Sequence, residues 1–473
     1  MVSDVAGDVP ADPSLRERAE RAITRRRLLV AGGLGVGAGA LTQLRTDPPA
    51  APKVPEGTWP FTDRDAQRTD SAPAATPPAE PEIAWRKQPV PSVDALVVGP
   101  ERVYVGSART AGTAPAAAAL DRADGTVRWT RQVPAQRLAF VAGAVYATGE
   151  SAPRSERDES GRSGTVTRLD ATTGETQWQR EVRDYGERLM VGERAVYVGY
   201  HGGATAFGRG RGRRLFRTST WGIPVTPLLA DDALFLAGGR LTRFGARRWS
   251  EVVFEQPPDP VWDRDPPNYT LDPTVVTRAD AADLAAAGRL SVSSVGGDSP
   301  SLRTHEVGEG TRRWATLDAT PLSEPVVVKE LAARGERLFH ALRTGRDDGR
   351  RRAVFCRDAT TGAERWRIEF KNWVRSVVVA GDRVLVGTRW DSVTPDLDSA
   401  AEETNAERSN ADVETPPPGR VTALSLDGDV QWRHPIGGSV SAVVPVGSRI
   451  LVGTDDASYG GRTAESGRVV ALD

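Results

Sequence analysis

A tryptophan that recurs at the end of a recurring strand, turn and strand restricts this chain more than any other feature. Residues 118–129, 167–178, 354–366 and 422–432 align without gaps of consequence. Each reads as a short apolar strand, then a polar turn with glycine (Ala123-Asp124-Gly125, Thr172-Thr173-Gly174, Thr360-Thr361-Gly362, Leu426-Asp427-Gly428), then a strand that carries Trp. Asp-like residues open such turns, and Gly supplies the positive φ that lets a tight hairpin follow the strands' twist. Upstream of each hairpin lies another pair of apolar runs, as in residues 96–106, 377–387 and 442–453. Two hairpins make one four-stranded antiparallel unit. The spacing of Trp85, Trp129, Trp178, Phe216 in place of Trp, Trp249, Trp314, Trp366 and Trp432 counts eight units. These aromatics read as packing between units, since a large ring buried between sheets is strongly stabilising.

The sequence stops at Arg468-Val469-Val470-Ala471-Leu472-Asp473, a third strand whose Trp-bearing partner is missing, and Glu82-Ile83-Ala84-Trp85-Arg86 supplies it. Pairing the two closes a ring and removes the edges an open array would leave. Residues 82–473 number 392, or 49 for each of eight units. The expected fold is therefore all-β, a single eight-bladed β-propeller of four-stranded antiparallel blades, closed by pairing the N-terminal strand with the C-terminal blade.

Composition agrees with a globular chain. Apolar side chains make up 39%, and 48 Gly with 34 Pro provide many turns. A balance of 62 Lys and Arg against 63 Asp and Glu gives no field to steer a nucleic acid. With Cys356 alone there is no intramolecular disulfide and no cysteine-based metal cluster.

Residues 1–81 are expected to lie outside the fold. Thr24-Arg25-Arg26-Arg27 precedes an apolar, Gly- and Ala-rich run from Leu28 to Leu41. A basic stretch before an apolar one is a secretory pattern, and Arg25 and Arg26 before Leu28 and Leu29 resemble the twin-arginine (Tat) signal. The uncharged residues 28–44 number 17, the lower limit for a spanning helix, so cleaved signal and retained membrane tether both stay open. Either way, 1–44 are read as a signal or signal anchor, 45–81 as a Pro- and Ala-rich linker, and the rest as membrane-anchored or extracytoplasmic.

The repeat Ala-Leu-Asp-x-x-Thr-Gly-x-x-x-Trp, clearest in residues 167–178 and 357–366, resembles the pyrroloquinoline-quinone (PQQ) binding-like repeat. That repeat builds the propellers of quinoprotein alcohol dehydrogenases and of the BamB outer-membrane assembly lipoprotein. Trp59-Pro60-Phe61 with Asp65-Ala66-Gln67-Arg68-Thr69 resembles the opening segment of exported members. The resemblance implies the fold but not one function, because the same repeat serves redox enzymes and scaffolds. Dehydrogenases of the family hold PQQ between a Trp and a vicinal disulfide, with Ca²⁺ on Glu, Asn and Asp side chains. A lone Cys356 cannot make that disulfide, and no calcium cage is recognisable.

No catalytic residue or metal ligand set is therefore assigned, and no cofactor is expected. His201, His305, His340 and His434 are scattered, and His340 reads as a hydrogen-bonded core residue. Gly208-Arg209-Gly210-Arg211-Gly212, with Arg213 and Arg214, reads as a solvated turn or an anion holder, but matches no phosphate or dinucleotide loop. The longest insertions, 107–116, 150–164, 343–352, 388–419 and 454–467, all join second to third strands, so topology places them on one rim. The largest is acidic, and loops on rigid scaffolds are where partners bind. Trp221 and Trp373, which precede the first strands of units four and seven, and Trp390 read as partner or ligand anchors or as plugs of a central channel. Trp59 and Trp262 are likewise not assigned to unit packing. The expected function is a non-catalytic scaffold for an envelope or extracellular protein. The alternatives are a degenerate quinoprotein binding PQQ or another redox cofactor, and a small-ligand or carbohydrate sensor.

Overall fold

The computed structural model describes residues 48–473 apart from 67, 109–115, 151–162, 184–187, 231, 239, 247–255, 265–268, 277–288, 296–300, 307–311, 318–326, 344–351, 371, 390–418 and 456–466. Among these residues the chain is all β, without a helix, and its strands form eight sheets. Trp390 and most of each insertion lie outside the described residues, as do Arg25 and Arg26.

The first sheet sets the pattern: Ala95–Val98, Arg102–Gly106, Ala117–Asp121 and Val127–Arg131 pair antiparallel in chain order. Its first three strands are buried almost throughout, which is why they read as continuous apolar runs; the fourth buries only Trp129 and exposes or half-exposes the rest. Three-stranded on first sight, the third sheet contains the long strand Ala195–Gly208. Its flanks meet, because the Arg209 amide donates to the Arg194 carbonyl at 2.9 Å. An extended run of that length would hold them about 50 Å apart, so the strand doubles back at Gly202, whose φ is +86°. In the eighth sheet the N-terminal strand Ile83–Lys87 pairs antiparallel with Val469–Leu472, beside Arg449–Asp455 and Ser439–Val446.

Register repeats as faithfully as sequence. Trp129 lies opposite Ala119, Trp178 opposite Arg168, Phe216 opposite Ala206, Trp314 opposite Thr304, Trp366 opposite Cys356, Trp432 opposite Ala423 and Trp85 opposite Ala471. A bulge or irregularity follows directly in every case. In the fourth sheet that position, with its irregularity, belongs to Trp262 opposite Arg243, in the strand Pro260–Arg264. This corrects the spacing, which chose Trp249, a residue outside the described ones. The connection after Leu241–Phe244 is longer than in other units, so counting residues from the turn stops too early.

The second correction concerns 45–81. From Ala50 onward this segment is no linker but a strap packed against the sheets, with Trp59 1% and Phe61 2% exposed. It includes the short strand Ser71–Ala72, parallel to the first strand of the seventh sheet, Val374–Ala380.

Candidate functional site

Each four-stranded sheet has two ends. At the turn end, strand one meets two and strand three meets four; at the insertion end, strand two meets three and the chain leaves for the next sheet.

The turn end explains the repeat. Gly174, at φ +74°, lies so close to Trp129 of the preceding sheet that an added Cβ would sit 2.7 Å from the ring. Gly125 meets Trp85, Gly212 meets Trp178 and Gly428 meets Trp366 in the same way. Glycine is thus required twice over, by φ and by the neighbouring ring. The Trp indoles then donate to carbonyls of the next sheet's turn: Trp129 to Ala171 at 3.1 Å, Trp178 to Arg209 at 3.1 Å, Trp366 to Leu426 at 2.9 Å. Arg102 adds bonds to Ala171 and Thr172, and Arg337 to Leu426. Turn aspartates cap the loops. Asp170 and Asp358 each accept two turn amides. For Asp358, burial opposes ionisation, but Arg365 and those amides overcome it and hold the carboxyl down to about 2.

The eighth sheet is assembled from both ends of the chain and so has no turn between its third and fourth strands. The strap takes that role. Trp432 donates to the Pro78 carbonyl at 3.1 Å, and Arg383 to Pro77 and Pro78 at 3.1 and 2.6 Å.

The strap also answers a backbone problem, because a sheet's first strand leaves one row of N–H groups without a neighbour. Val98, Phe140, Leu229, Ala333 and Val379, each near the end of a first strand, donate their amides to Trp59, Pro60, Ala66, Thr69 and Asp70. Five sheets are thereby tied to one segment. Its corner is held by the buried Asp65 carboxylate, which accepts the Thr69 amide at 3.0 Å and the Thr69 hydroxyl. Arg64, Arg68 and Asp70 adopt positive φ there, at 67°, 57° and 46°, conformations that persist only where surrounding bonds fix them.

At the insertion end Trp221 and Trp373 lie at different passages between sheets, and Trp390 lies outside the described residues. Trp221 lies in the strand Arg214–Pro224 at the passage from third to fourth sheet. Trp373, half-buried, precedes the seventh sheet, and its carbonyl accepts the Arg389 amide at 2.8 Å. The described flanks of the insertions are tied strand to strand, as where the Ser107 amide donates to Ala116 and the Thr454 amide to Arg468. Polar contacts cluster here: Ser92 donates to Asp94 at 2.6 Å, and Arg375 pairs with Asp455 at 3.3 Å.

His340 is a core residue. Fully buried and stacked on Phe355, its Nε2 accepts from Arg357 Nε at 3.1 Å. Burial first, and the Arg357 charge second, push its pKa down to about 3, so it is neutral. Cys356 is buried, and burial raises its thiol to about 11, which makes it an inert apolar residue. Among the described residues no group of three or more His, Cys, Asp or Glu is placed to hold a metal ion. A single buried thiol cannot supply the vicinal disulfide that clamps the quinone in the dehydrogenases.

The family model described as outer membrane protein assembly factor BamB matches residues 74–252 and 298–473. None of the curated proteins matches the sequence. Among solved structures, the quinohemoprotein alcohol dehydrogenase ADHIIG from Pseudomonas putida is similar at 12% identity, covering 88% of this chain and 80% of that one, with a TM-score of 0.60. A europium-containing methanol dehydrogenase aligns at 13% identity over 88% and 98% of the two chains, with a TM-score of 0.56. BamB from Moraxella catarrhalis aligns at 13% identity over 83% and 98%, with a TM-score of 0.53. At these identities the likeness is one of fold.

Proposed function

This chain belongs to the family described by the outer membrane protein assembly factor BamB, and from that premise we propose that it is an exported, non-catalytic β-propeller of eight blades that serves as a scaffold for a protein partner. Support for a closed ring comes from the pairing of Ile83–Lys87 with Val469–Leu472, and from contacts of each sheet's first strand with the next, the eighth reaching back to the first. The observation that carries the functional reading is the asymmetry of the two ends. The turn end is bonded to itself and to the strap and has long connections only in the fourth and fifth sheets, at 245–259 and 277–288, whereas five long connections, the largest of them acidic, leave from the insertion end. The partner therefore binds the insertion end, at the envelope side to which a twin-arginine signal would deliver the chain.

Affinity capture from native envelopes, with wild type and with a variant whose residues 391–418 are replaced by a short Gly-Ser bridge, tests this. One partner captured by wild type and lost by the variant is expected; equal capture by both argues against the insertion end. Replacing Arg25 and Arg26 by Lys is expected to abolish export. The likeness to two dehydrogenases favours a second reading, a redox cofactor in the ring, and PQQ with Ca²⁺ raising Tm by several degrees would establish it over the scaffold.

A further inference from the structure

One turn of the molecule keeps the backbone of its counterparts and reverses their charge. In the second and sixth sheets the turn between strands three and four opens with Asp170 or Asp358, whose carboxylate accepts turn amides. In the third sheet Gly208 stands there, and the sequence runs Gly208-Arg209-Gly210-Arg211-Gly212-Arg213-Arg214. The shape survives without the Asp: the Gly208 amide donates to Arg213 at 2.7 Å, the Gly212 amide to Gly208 at 2.8 Å, and Gly212, at φ +64°, sits on the Trp178 ring. Backbone bonds and glycine make the turn.

They face solvent as a patch. Arg211, Arg213 and Arg214 are exposed and Arg209 is half-buried; exposed Arg194 adjoins them on the turn between strands one and two. These two turns carry five arginines and one acid, Glu193. The same corner is where the chain enters the fold. The Glu193 amide donates to the Ala50 carbonyl at 3.0 Å, and Lys53 beyond it is exposed. The uncharged stretch 28–44 ends six residues before Ala50, a reach of at most about 20 Å.

We propose that this corner docks on an anionic membrane surface, with Arg194, Arg209, Arg211, Arg213 and Arg214 against lipid headgroups and the apolar stretch in the bilayer. The proposal rests on reading residues 28–44 as an export segment that is retained. A short apolar anchor joined to a polybasic patch is the two-signal arrangement that stable membrane attachment needs. The basic contribution decays over a Debye length, about 8 Å at physiological salt, so only residues near the anchor's exit count. Because the patch lies at the turn end, docking there points the insertion end away from the bilayer, toward a partner.

The test uses the full chain and vesicles of phosphatidylcholine, with and without phosphatidylglycerol. Exchanging Arg209, Arg211, Arg213 and Arg214 together for Gln is expected to lower partition onto the anionic vesicles about tenfold or more, to leave partition onto the neutral ones unchanged, and to leave Tm unchanged. A fluorophore at Gly210→Cys is expected to be quenched by nitroxide headgroup lipids and one at Gln132→Cys, at the insertion end, is not; buried Cys356 does not compete for label. Equal anionic partition by the glutamine variant, or preferential quenching at 132, overturns the proposal. So does loss of heparin binding with vesicle binding intact, which gives the patch to a soluble polyanion. Failure of export in cells defeats the scaffold reading whatever the vesicles show, whereas export with unchanged vesicle binding defeats only this inference.

Discussion

The two ends of the sheets are built from the same strands and differ in what the chain does between them. At the turn end of the first, second, third, sixth and seventh sheets the loops are short, closed by glycine, and most are bonded to a neighbouring sheet by Trp or Arg donors, with the strap tied to five first strands; the fourth and fifth sheets depart from this with longer connections at 245–259 and 277–288. At the insertion end the flanking strands are held, as where the Thr388 hydroxyl donates to the Arg420 carbonyl at 3.3 Å, and long stretches of sequence lie between them. Stability thus concentrates at one end, and the other can carry specificity.

The largest expected effect is at the strap. Deleting residues 50–78 removes two buried aromatics and the acceptors of five inner amides, and is expected to prevent recovery of a folded soluble chain. The milder Trp59→Ala should cost about 3–5 kcal/mol by denaturant unfolding; a cost under about 1 kcal/mol would make the strap dispensable and erase the contrast between the ends.

Next come the inter-sheet glycines. Gly174→Ala combines left-handed strain with a clash on Trp129 and is expected to cost about 2–4 kcal/mol. Gly143→Ala has the same φ of +74° but open space around it, and should cost only about 1 kcal/mol. Equal costs would show that φ alone, not docking between sheets, explains the turn glycine.

Acid should weaken the sixth sheet before it touches the turn carboxylates. His340 has its folded pKa depressed to about 3, below the roughly 6.5 of an unfolded chain. The unfolded chain therefore takes up the proton first, and the stability present above about pH 6.5 is lost as pH falls. Between about pH 6.5 and 4.5 the loss should reach up to about 2–3 kcal/mol, with His434, also depressed by burial, adding to it. His340→Leu should flatten that slope; an unchanged slope would locate the titration elsewhere. The smallest effect belongs to the insertion end, where replacing residues 391–418 by a short bridge should leave unfolding free energy within about 0.5 kcal/mol of wild type.

Much of the architecture was legible because it repeats. Strand, turn glycine and Trp recur for reasons that act through side chains, so Gly125, Gly174 and Trp129 could be read directly. Trp262 was not legible, because register rather than spacing defines its position, and a longer connection hides the count. Trp59, Phe61, Asp65 and Thr69 mark the strap in the sequence, but its role does not show there. Its bonds are made by backbone carbonyls, which a Pro- and Ala-rich sequence does not advertise, and the absent eighth turn becomes visible only when Pro78 is seen receiving Trp432. Topology alone marks Trp221 and Trp373 as partner or ligand anchors or as channel plugs, and the structure distributes them to separate passages between sheets.

The contrast between the ends is tested most directly by placing a photo-crosslinking amino acid at Gln132, at the insertion end, and at Asp124, exposed in a turn-end loop. After irradiation in native envelopes, a single protein partner joined through position 132 and none through 124 is the expected result. A protein partner joined through 124 alone would contradict the assignment of the two ends.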